Sequence, residues 1–502
     1  MKRPNILFIT ADQQRGDCYG FRGRKVQTPH LDQLARDGTS LETVITPCVV
    51  CQPARASILT GILPRTHGVH DNGIDLDPAE GERGYARTLT EAGYDTGLIG
   101  KAHFATYHTF EDAETPESVT GSAKVPDGWH GPYMGFSHVE LMVIGHNWWL
   151  PPQPGLHYER WYYADGNGEA KNKLLWESSR DVGGAPQTWA SRLPVAWHNS
   201  TWTTDRAVDF IKRERDAPFC LWVSYPDPHH PFDCPEPWAS LHRPEDVDLP
   251  PHRERNFEGR PWWHEAAVSA EIKGPGSDVR KSYSRFPEVS DDHLREIIAN
   301  TYGQISLIDH GVGRLRIALQ EAGIADDTIV IYTADHGDWL GDHGLVLKGP
   351  MPFEGLLNVR GIVAGPGVPA GKVSHEPLST LDLAATFADW GGAEAPEHWH
   401  SRSARDVIEG DATRDFALSE WELLPGRVGV GLSLRTVRTK TAKLTLDLAS
   451  GAGELYDLED DPHELTNRFD DPACRALRDA LTSMLMTRPN DVKPNQTPVG
   501  MA

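Results

Sequence analysis

Short, wholly apolar runs alternate along the chain with longer segments in which apolar residues recur every three or four positions. Such runs are typical of parallel strands buried on both faces, and the longer spacing is typical of helices that bury one face. The runs predict strands at 6–9, 40–45, 96–99, 219–223 and 328–332. The helical spacing predicts helices at 28–38, 88–92, 203–213 and 302–321.

This alternation predicts an α/β fold with a large mixed, mostly parallel sheet flanked by helices. From about residue 411 the pattern changes to short strands and a closing helix at 471–486, so we expect a smaller C-terminal antiparallel sheet with one helix. We therefore divide the chain into a catalytic domain, 1–410, and a C-terminal small-sheet subdomain with a tail, 411–502. The tail from residue 488 is expected to be arm-like.

Residues 107–200 show little periodicity and predict an irregular insert that selects the substrate. Together with the tail, this insert is more apolar and less regular than a lone monomer needs, so we expect a homodimer or tetramer. Its tryptophans are Trp129, Trp148, Trp149, Trp161 and Trp176.

Composition excludes several classes of partner. The 502 residues carry a formal net charge of −23, which would repel nucleic acid and anionic membranes alike. No apolar run approaches the ~20 residues of a membrane span. Six cysteines are too few for a disulfide framework, and the first apolar run is too short for a signal peptide. We therefore expect a cytoplasmic protein.

The segment from Cys51 to Gly61 places a thiol at the mouth of a predicted helix. Pro53 suits a first helical turn, and Gly61 allows a left-handed stop. The helix N-terminus would direct N–H groups and partial positive charge at Cys51, and Arg55 adds a fixed cation one turn on. This arrangement predicts a nucleophile that acts on an anion.

Two other interpretations of this thiol remain open at this point. Cys48 and Cys51 form a Cys-x-x-Cys pair, which could be a thiol redox couple or half of a zinc site. Cys51 could also be a buried core thiol without chemistry. No second pair of this spacing exists, because the other cysteines are scattered at Cys18, Cys220, Cys234 and Cys474.

The run Cys51-x-Pro53-x-Arg55 with Leu59-Thr60-Gly61 resembles the signature of the type I sulfatases in the alkaline phosphatase superfamily. In that family a dedicated formylglycine-generating enzyme oxidises the cysteine to Cα-formylglycine, whose hydrate attacks sulfur. The resemblance implies an alkaline-phosphatase-like sandwich fold. Ala54 replaces the commoner Ser, as it also does in the phosphonate monoester hydrolases of the superfamily.

Further motifs extend the resemblance to the rest of the chain. Each of the three central ones follows a predicted strand, where α/β sheets place their functional groups. They are Gly100-Lys101-Ala102-His103, Pro228-His229-His230-Pro231-Phe232, and Asp335-His336-Gly337 with Lys348. Adjacent histidines are expected to point in different directions, so only His229 is assigned to the site.

The resemblance implies a role for each matched side chain. Arg55 would hold the diol, while Lys101 and Lys348 would bind the sulfate oxygens. His229 would contact the sulfate and protonate the leaving alkoxide with help from Lys348, and His103 would act as the base that breaks the sulfated hemiacetal.

Asn72 sits where related hydrolases place a substrate-contacting Asn, and a turn role beside Gly73 is an equal alternative.

The resemblance also implies one divalent cation, bound by Asp12, Gln13, Asp335, His336 and an oxygen of the group derived from Cys51. Sulfatases usually carry Asp-Asp where this chain has Asp12-Gln13. Oxygen-rich ligation favours Ca²⁺, and the imidazole with the neutral amide makes Mn²⁺ the next choice.

The substrate class follows from which motifs match. Phosphonate monoester hydrolases lack the Lys101/His103 pair and carry hydroxyl side chains there, whereas Gln13 makes the cation site less negative and favours a phosphorus ester. Two matched catalytic residues outweigh one ligand. We therefore expect a small-molecule sulfate ester as substrate, with phosphonate monoester or phosphodiester hydrolysis as the alternative.

Overall fold

An eight-stranded sheet forms the centre of the fold. The computed structural model describes residues 3–143, 151–283 and 288–501. Within these ranges the strands are β1 (Asn5–Ala11), β2 (Thr39–Leu41), β3 (Val44–Ile45), β4 (Asp95–Lys101), β5 (His108–Thr109), β6 (His138–Met142), β7 (Phe219–Tyr225), β8 (Thr328–Ala334), β9 (Gly361–Ala364), β10 (Lys372–Ser374), β11 (Leu378–Ser379), β12 (Ala417–Leu423), β13 (Leu432–Arg438), β14 (Ala442–Asp447), β15 (Gly453–Asp457) and β16 (Gly500–Met501). The α-helices are α1 (Pro29–Asp37), α2 (Cys51–Thr60), α3 (Pro64–His67), α4 (Pro78–Gly81), α5 (Tyr85–Glu91), α6 (Val119–Ser122), α7 (His157–Tyr163), α8 (Gly168–Trp176), α9 (Asn199–Ile211), α10 (Trp262–Ser269), α11 (Ser277–Tyr283), α12 (Asp291–Glu321), α13 (Glu354–Leu357), α14 (Leu383–Trp390), α15 (Arg405–Glu409), α16 (Pro425–Val428) and α17 (Arg475–Leu485).

The main sheet has the strand order β10-β2-β9-β8-β1-β7-β4-β6. Strands β8, β1, β7, β4 and β6 are mutually parallel, and β9 is antiparallel to both of its neighbours, so the sheet is mixed and mostly parallel. In register, Ala11 at the end of β1 lies opposite Tyr225 and Ala334. The carboxyl ends of the central strands therefore meet at one edge.

Both faces of the sheet are covered, which explains the unbroken apolar runs. Side chains of β1 alternate between the two layers: Ile6 and Phe8 enter the cluster with α2, α5 and α14, whereas Leu7 and Ile9 enter the cluster with α1, α9 and α12. A strand buried on both sides has no polar face to show in its sequence.

The second sheet is antiparallel with the order β12-β13-β14-β15. Helix α17 packs on it through Leu481 and Leu485, which share an apolar cluster with Val437 and Leu444. The predicted fold class is thus confirmed. The division at residue 410 stays a prediction, as do the cytoplasmic location and the oligomeric state. Within the described ranges, no helix combines the length and the apolar character needed to cross a bilayer.

Several element boundaries differ from the predicted ones. Helix α12 begins at Asp291 rather than at 302, because Ser290 caps it by accepting a hydrogen bond from the His293 N–H at 3.2 Å. The predicted strand at 40–45 is two strands, β2 and β3, which join different sheets. In α12 the buried residues Leu294, Ile297 and Ile298 continue the helical spacing before 302, so the sequence signal extends further than the predicted bounds. The break between β2 and β3 is too short to show in the pattern.

The insert at 107–200 is more regular than its sequence suggests. It contributes the edge strand β6 to the main sheet and holds helices α6, α7 and α8. The expectation of an irregular segment is wrong for these parts, because an edge strand can carry polar side chains and need not form an apolar run. Of its tryptophans, Trp148 and Trp149 lie outside the described residues.

The expectation of an arm-like tail is wrong. Arg488 is buried and makes a bidentate ion pair with Glu420, at 2.9 and 3.0 Å. Farther along, the Val499 N–H donates to the Gly73 carbonyl at 2.7 Å, and β16 pairs with β5 of the insert. The tail therefore runs back over its own chain, so it no longer argues for a second subunit.

The Arg488–Glu420 pair gives a stability prediction. Arg488→Ala leaves the Glu420 carboxylate buried without its main cation, and breaking a buried pair typically costs about 3–5 kcal/mol. We expect a clear fall in the free energy of unfolding, measured by denaturant titration. The matched control is Arg87→Ala, since the Arg87–Glu91 pair is half exposed and worth at most about 1 kcal/mol. Equal effects of the two substitutions would contradict the prediction.

Candidate active site

The carboxyl ends of β1, β4, β7 and β8 meet the first turn of α2 at one edge of the main sheet. Because these strands are neighbours, the residues that follow them come together. All the side chains predicted for the site are buried there: Asp12, Gln13, Cys51, Arg55, Asn72, Lys101, His103, His229, Asp335, His336 and Lys348.

Cys51 is the first residue of α2, and Gly61 ends the helix in the left-handed conformation with φ 69°, both as predicted. The Asn72 side-chain oxygen accepts a hydrogen bond from the Gln52 N–H at 3.1 Å. Asn72 therefore satisfies a free N–H group at the helix start, next to Cys51. Its predicted contact with substrate stays a prediction.

The Cys51 sulfur faces cationic and acidic groups at once. Its Sγ lies 2.9 Å from Lys348 Nζ, 3.0 Å from His336 Nε2 and 3.6 Å from Asp12 Oδ1. Burial and the Asp12 charge raise the pKa of the thiol, but opposing charges, chiefly those of Lys348 and Lys101, outweigh them, so the pKa of Cys51 is lowered. This thiol is buried but electrostatically activated.

The Lys348 ammonium contacts four acceptor atoms of the site. Its Nζ lies 2.9 Å from Gln13 Oε1, from Cys51 Sγ and from His229 Nε2, and 3.2 Å from His336 Nε2. An ammonium has three protons to donate. The acceptors around it therefore outnumber its donors, and the cluster can accommodate a further cation.

Arg55 ties helix α2 to the strand ends. Its Nε donates to the Ala102 carbonyl at 2.7 Å, one terminal nitrogen contacts the Asp335 carboxylate at 3.2 Å, and the other donates to the Lys101 carbonyl and the Ser224 hydroxyl. These bonds fix the guanidinium, which is fully buried. Its predicted hold on the diol stays a prediction.

The residues present fit a divalent cation. One ligand atom each from Asp12, Cys51, Asp335 and His336 lies within 4.8 Å of the others. His336 Nδ1 donates to the Gly337 carbonyl at 2.8 Å, which leaves the Nε2 lone pair directed at the cluster. Two carboxylates and an oriented imidazole are a donor set that Ca²⁺ or Mn²⁺ can take.

Asp12 and Lys101 form a buried ion pair between the ends of β1 and β4. Burial raises the pKa of Asp12, but opposing charges, chiefly those of Lys101 and Lys348, outweigh it and hold that pKa well below its usual range. Burial lowers the pKa of Lys101, yet Asp12 more than compensates and raises it. Asp12 is therefore ionised, as a cation ligand must be.

Gln13 presents its amide oxygen to the cluster. The amide nitrogen donates to Asp338 Oδ2 at 2.6 Å, and the oxygen accepts from Lys348. Asp338 therefore orients the predicted ligand. Sequence reasoning missed Asp338, although it directly follows Asp335-His336-Gly337 in the chain.

The two adjacent histidines do not point in different directions. Their rings stack at 4.0 Å with an interplanar angle of 21°, and His230 Nδ1 lies 3.1 Å from the Gln13 amide nitrogen. Both rings thus border the site. His229 Nδ1 donates to the His230 carbonyl at 2.5 Å, so His229 Nε2 is the atom that accepts from Lys348.

Comparison with known proteins identifies the family. The sulfatase family model matches residues 4–393, and a model described as the C-terminal part of N-sulphoglucosamine sulphohydrolase matches residues 341–491. The chain belongs to the sulfatase family. The predicted resemblance and the predicted enzyme class, a sulfuric ester hydrolase, are thereby confirmed.

The relatives of this sulfatase are named for different activities. An arylsulfatase from Clostridium perfringens is 29% identical and aligns over 96% of this chain and 94% of its own. The multifunctional alkaline phosphatase superfamily protein PehA from Trinickia caryophylli is 30% identical and aligns over 95% of this chain and 93% of its own. The solved structure of a phosphonate monoester hydrolase from Silicibacter pomeroyi superposes with a TM-score of 0.79 at 25% identity. The superposition covers 98% of this chain and 96% of that chain.

The redox interpretation finds no support in the sulfatase. All six cysteines, each within the described residues, carry free thiols. Cys48 lies in an apolar cluster with Val50 and Trp263, and burial raises the pKa of its thiol well above the usual range. A thiol that resists ionisation is a poor partner for thiol–disulfide exchange.

His103 differs from the other histidines of the site. It is only 4% exposed, and neither ring nitrogen has a hydrogen-bond partner among the described residues. Burial, with the charge of Lys101, lowers its pKa well below the usual range, so the ring is neutral. A neutral buried imidazole without partners is available to a bound molecule.

Beneath His103 lies Glu117, which sequence reasoning did not find. Its carboxylate accepts a hydrogen bond from the Phe104 N–H at 3.1 Å and another from the Tyr133 hydroxyl at 2.7 Å. Burial raises its pKa to about 7. It lies in the insert and follows no strand or motif, so no local pattern marks it.

His103 and His67 form a matched pair for a test. His67 is also buried, but its ring bonds the Ser57 hydroxyl at 2.9 Å and the Val69 N–H at 3.1 Å. His103→Leu should keep the melting temperature within about 2 °C, since no protein hydrogen bond is lost, and lower kcat at least about a hundredfold. His67→Leu should cost about 1–3 kcal/mol of folding free energy. Thermal melts and steady-state kinetics distinguish a catalytic from a structural role of His103. A large loss of stability in His103→Leu would assign that ring a structural role.

Proposed function

We propose that this sulfatase hydrolyses sulfate esters through Cα-formylglycine formed from Cys51, beside one divalent cation. The observation that carries the proposal is the placement of Cys51 at the start of α2, within hydrogen-bond distance of Lys348 and His336. Asp12, Gln13, Asp335 and His336 would hold the cation, with Ca²⁺ as first choice and Mn²⁺ next. Such a cation, when bound, neutralises sulfate charge and favours the deprotonated nucleophile.

Lys348 and His229 would handle the proton for the leaving alkoxide as a unit. His229 Nδ1 is committed to a main-chain carbonyl, and its Nε2 accepts from Lys348. The transferable proton is therefore held between Lys348 Nζ and His229 Nε2. Because Lys348 also contacts the sulfur of Cys51, it connects the nucleophile to the leaving-group side of the site.

Charge supports an anionic tetrahedral substrate. Three buried cations, Arg55, Lys101 and Lys348, face two buried carboxylates, Asp12 and Asp335, so these side chains alone leave an excess of positive charge. Sulfate esters, phosphonate monoesters and phosphodiesters all carry one negative charge. The excess of positive charge favours an anionic substrate over a neutral one, and the choice among these anions rests on Lys101 and His103.

Phosphonate monoester hydrolysis is the second candidate. The Silicibacter pomeroyi relative carries that name, and PehA is called multifunctional. In this chain the observation that favours it is Gln13, a neutral amide whose oxygen faces the cation cluster. We rank it second because Lys101 and His103 follow the sulfatase pattern.

The first test is the chemical state of Cys51. Enzyme from cells that contain the formylglycine-generating enzyme should lose about 18 Da at the Cys51 peptide. Cys51→Ala should remove nearly all sulfatase activity. Cys48→Ala, the matched control on a thiol in the apolar cluster, should retain most of it. Full activity of protein that carries only unmodified Cys51 would disprove the formylglycine mechanism.

The second test ranks substrates that share one leaving group. We expect kcat/KM for 4-nitrophenyl sulfate to exceed the values for 4-nitrophenyl phenylphosphonate and bis(4-nitrophenyl) phosphate on metal-loaded, converted enzyme. With a common leaving group, the ranking reports on the transferred group alone. A phosphorus ester ahead by more than about a hundredfold, ~2.7 kcal/mol of transition-state preference, would reverse the order of the two candidates.

A further inference from the structure

A second cluster of metal-ligating side chains lies on the edge strand of the main sheet. His138 and Glu140 are two residues apart on β6, so they share one face of the strand, and His130 comes from the loop before it. Ligand atoms of the three residues lie within 4.8 Å of one another. None of them belongs to the site around Cys51.

The cluster is remote from that site. His138 pairs with Gly97, four residues before Lys101 on the parallel strand β4. At ~3.3 Å per residue, His138 lies about 13 Å back along the strand from the catalytic edge of the sheet. A ligand bound here therefore acts on the fold and not on the reacting atoms.

Hydrogen bonds decide which ring nitrogens are available. His130 Nδ1 lies 3.3 Å from the Val139 carbonyl, which can only accept, so the proton is on Nδ1 and Nε2 keeps its lone pair. The rings of His130 and His138 stack at 5.1 Å and 10°. His130 is exposed at the surface, so its Nε2 is accessible from solvent.

Arg213 already occupies the position that a metal ion would take between His138 and Glu140. Arg213 contacts both, with one terminal nitrogen 3.0 Å from His138 Nε2 and 3.2 Å from Glu140 Oε1. His138 Nε2 and Glu140 Oε1 also lie 3.1 Å apart, which is a hydrogen bond when Nε2 carries a proton. A metal ion bound here would replace that proton and the Arg213 contact, and both atoms would then act as its ligands.

Neighbouring His157 is not a further ligand. Its ring packs 4.7 Å from that of His130, but Nδ1 accepts from the Leu141 N–H at 3.0 Å and Nε2 donates to the Trp129 carbonyl at 2.7 Å. Both nitrogens are used, so His157 supports the His130 ring. Water would complete the coordination of a metal ion held by the other three residues.

We propose that His130, His138 and Glu140 form a zinc-binding site that fastens the 130–137 loop to the edge strand β6. Two imidazoles and a carboxylate, with water completing the shell, are a donor set typical of Zn²⁺. The metal would take the place of Arg213, whose side chain is 39% exposed and can move into solvent. Binding to the folded state alone raises its stability by mass action.

The test uses the full-length enzyme with its catalytic cation in place and ZnCl₂ as the probe. After equilibrium dialysis in excess Ca²⁺, elemental analysis should find one zinc per chain fewer in His138→Ala than in the wild type. Zinc should raise the melting temperature of the wild type and not that of His138→Ala or Glu140→Gln. The surface control His375→Ala should behave as the wild type.

The direction in which Arg213→Ala changes the zinc affinity separates this site from adventitious binding of zinc to histidine. Arg213→Ala removes the competing cation and should tighten zinc binding about fivefold, the effect of one partly exposed charge at contact distance. Unchanged or weaker binding in Arg213→Ala would overturn the proposal, as would equal zinc content in the wild type and His138→Ala. Neither result bears on Cys51, whose chemistry is read separately by mass spectrometry.

Discussion

Pairing of buried charge is the constraint on which the structure around Cys51 depends. Asp12 and Asp335 are fully buried, and an isolated carboxylate would be too costly there. Lys101 and Arg55 neutralise them from another strand and from α2, respectively. Each ion pair therefore joins two elements, β1 with β4 and β8 with α2, and adds to the backbone ladders that hold the strands together. The geometry that the chemistry needs follows from this requirement.

The same pairing explains how an acidic protein accepts an anion. The chain carries a net charge of −23, yet Arg55, Lys101 and Lys348 around Cys51 outnumber the two carboxylates, Asp12 and Asp335, that Lys101 and Arg55 pair with. Surface charges are screened beyond about 8 Å at physiological ionic strength, whereas buried charges are screened much less. A substrate at the strand ends therefore responds to Lys101 and Lys348 more than to the distant acidic surface.

The sequence predicted the parts of the fold whose physics is local. Strands β1, β7 and β8 bury both faces, so they appear as apolar runs, and the site residues follow them because sheet topology places function at strand ends. The sequence could not predict β6, the packed tail or the stacking of His229 on His230. Each of these depends on contacts between distant residues, such as Arg488 with Glu420, or on backbone geometry that no residue pattern encodes.

The contacts of Lys348 would let the site accept the proposed conversion of Cys51 without rearrangement. Four acceptors surround an ammonium that can serve three at a time. If the Cys51 sulfur is replaced by oxygen, Gln13, His229 and His336 still satisfy Lys348, so the ammonium does not have to move. A bound cation that takes His336 and Gln13 would leave Lys348 with His229 and the new oxygen. In either state Lys348 keeps His229 as an acceptor, so His229 stays aligned with the nucleophile.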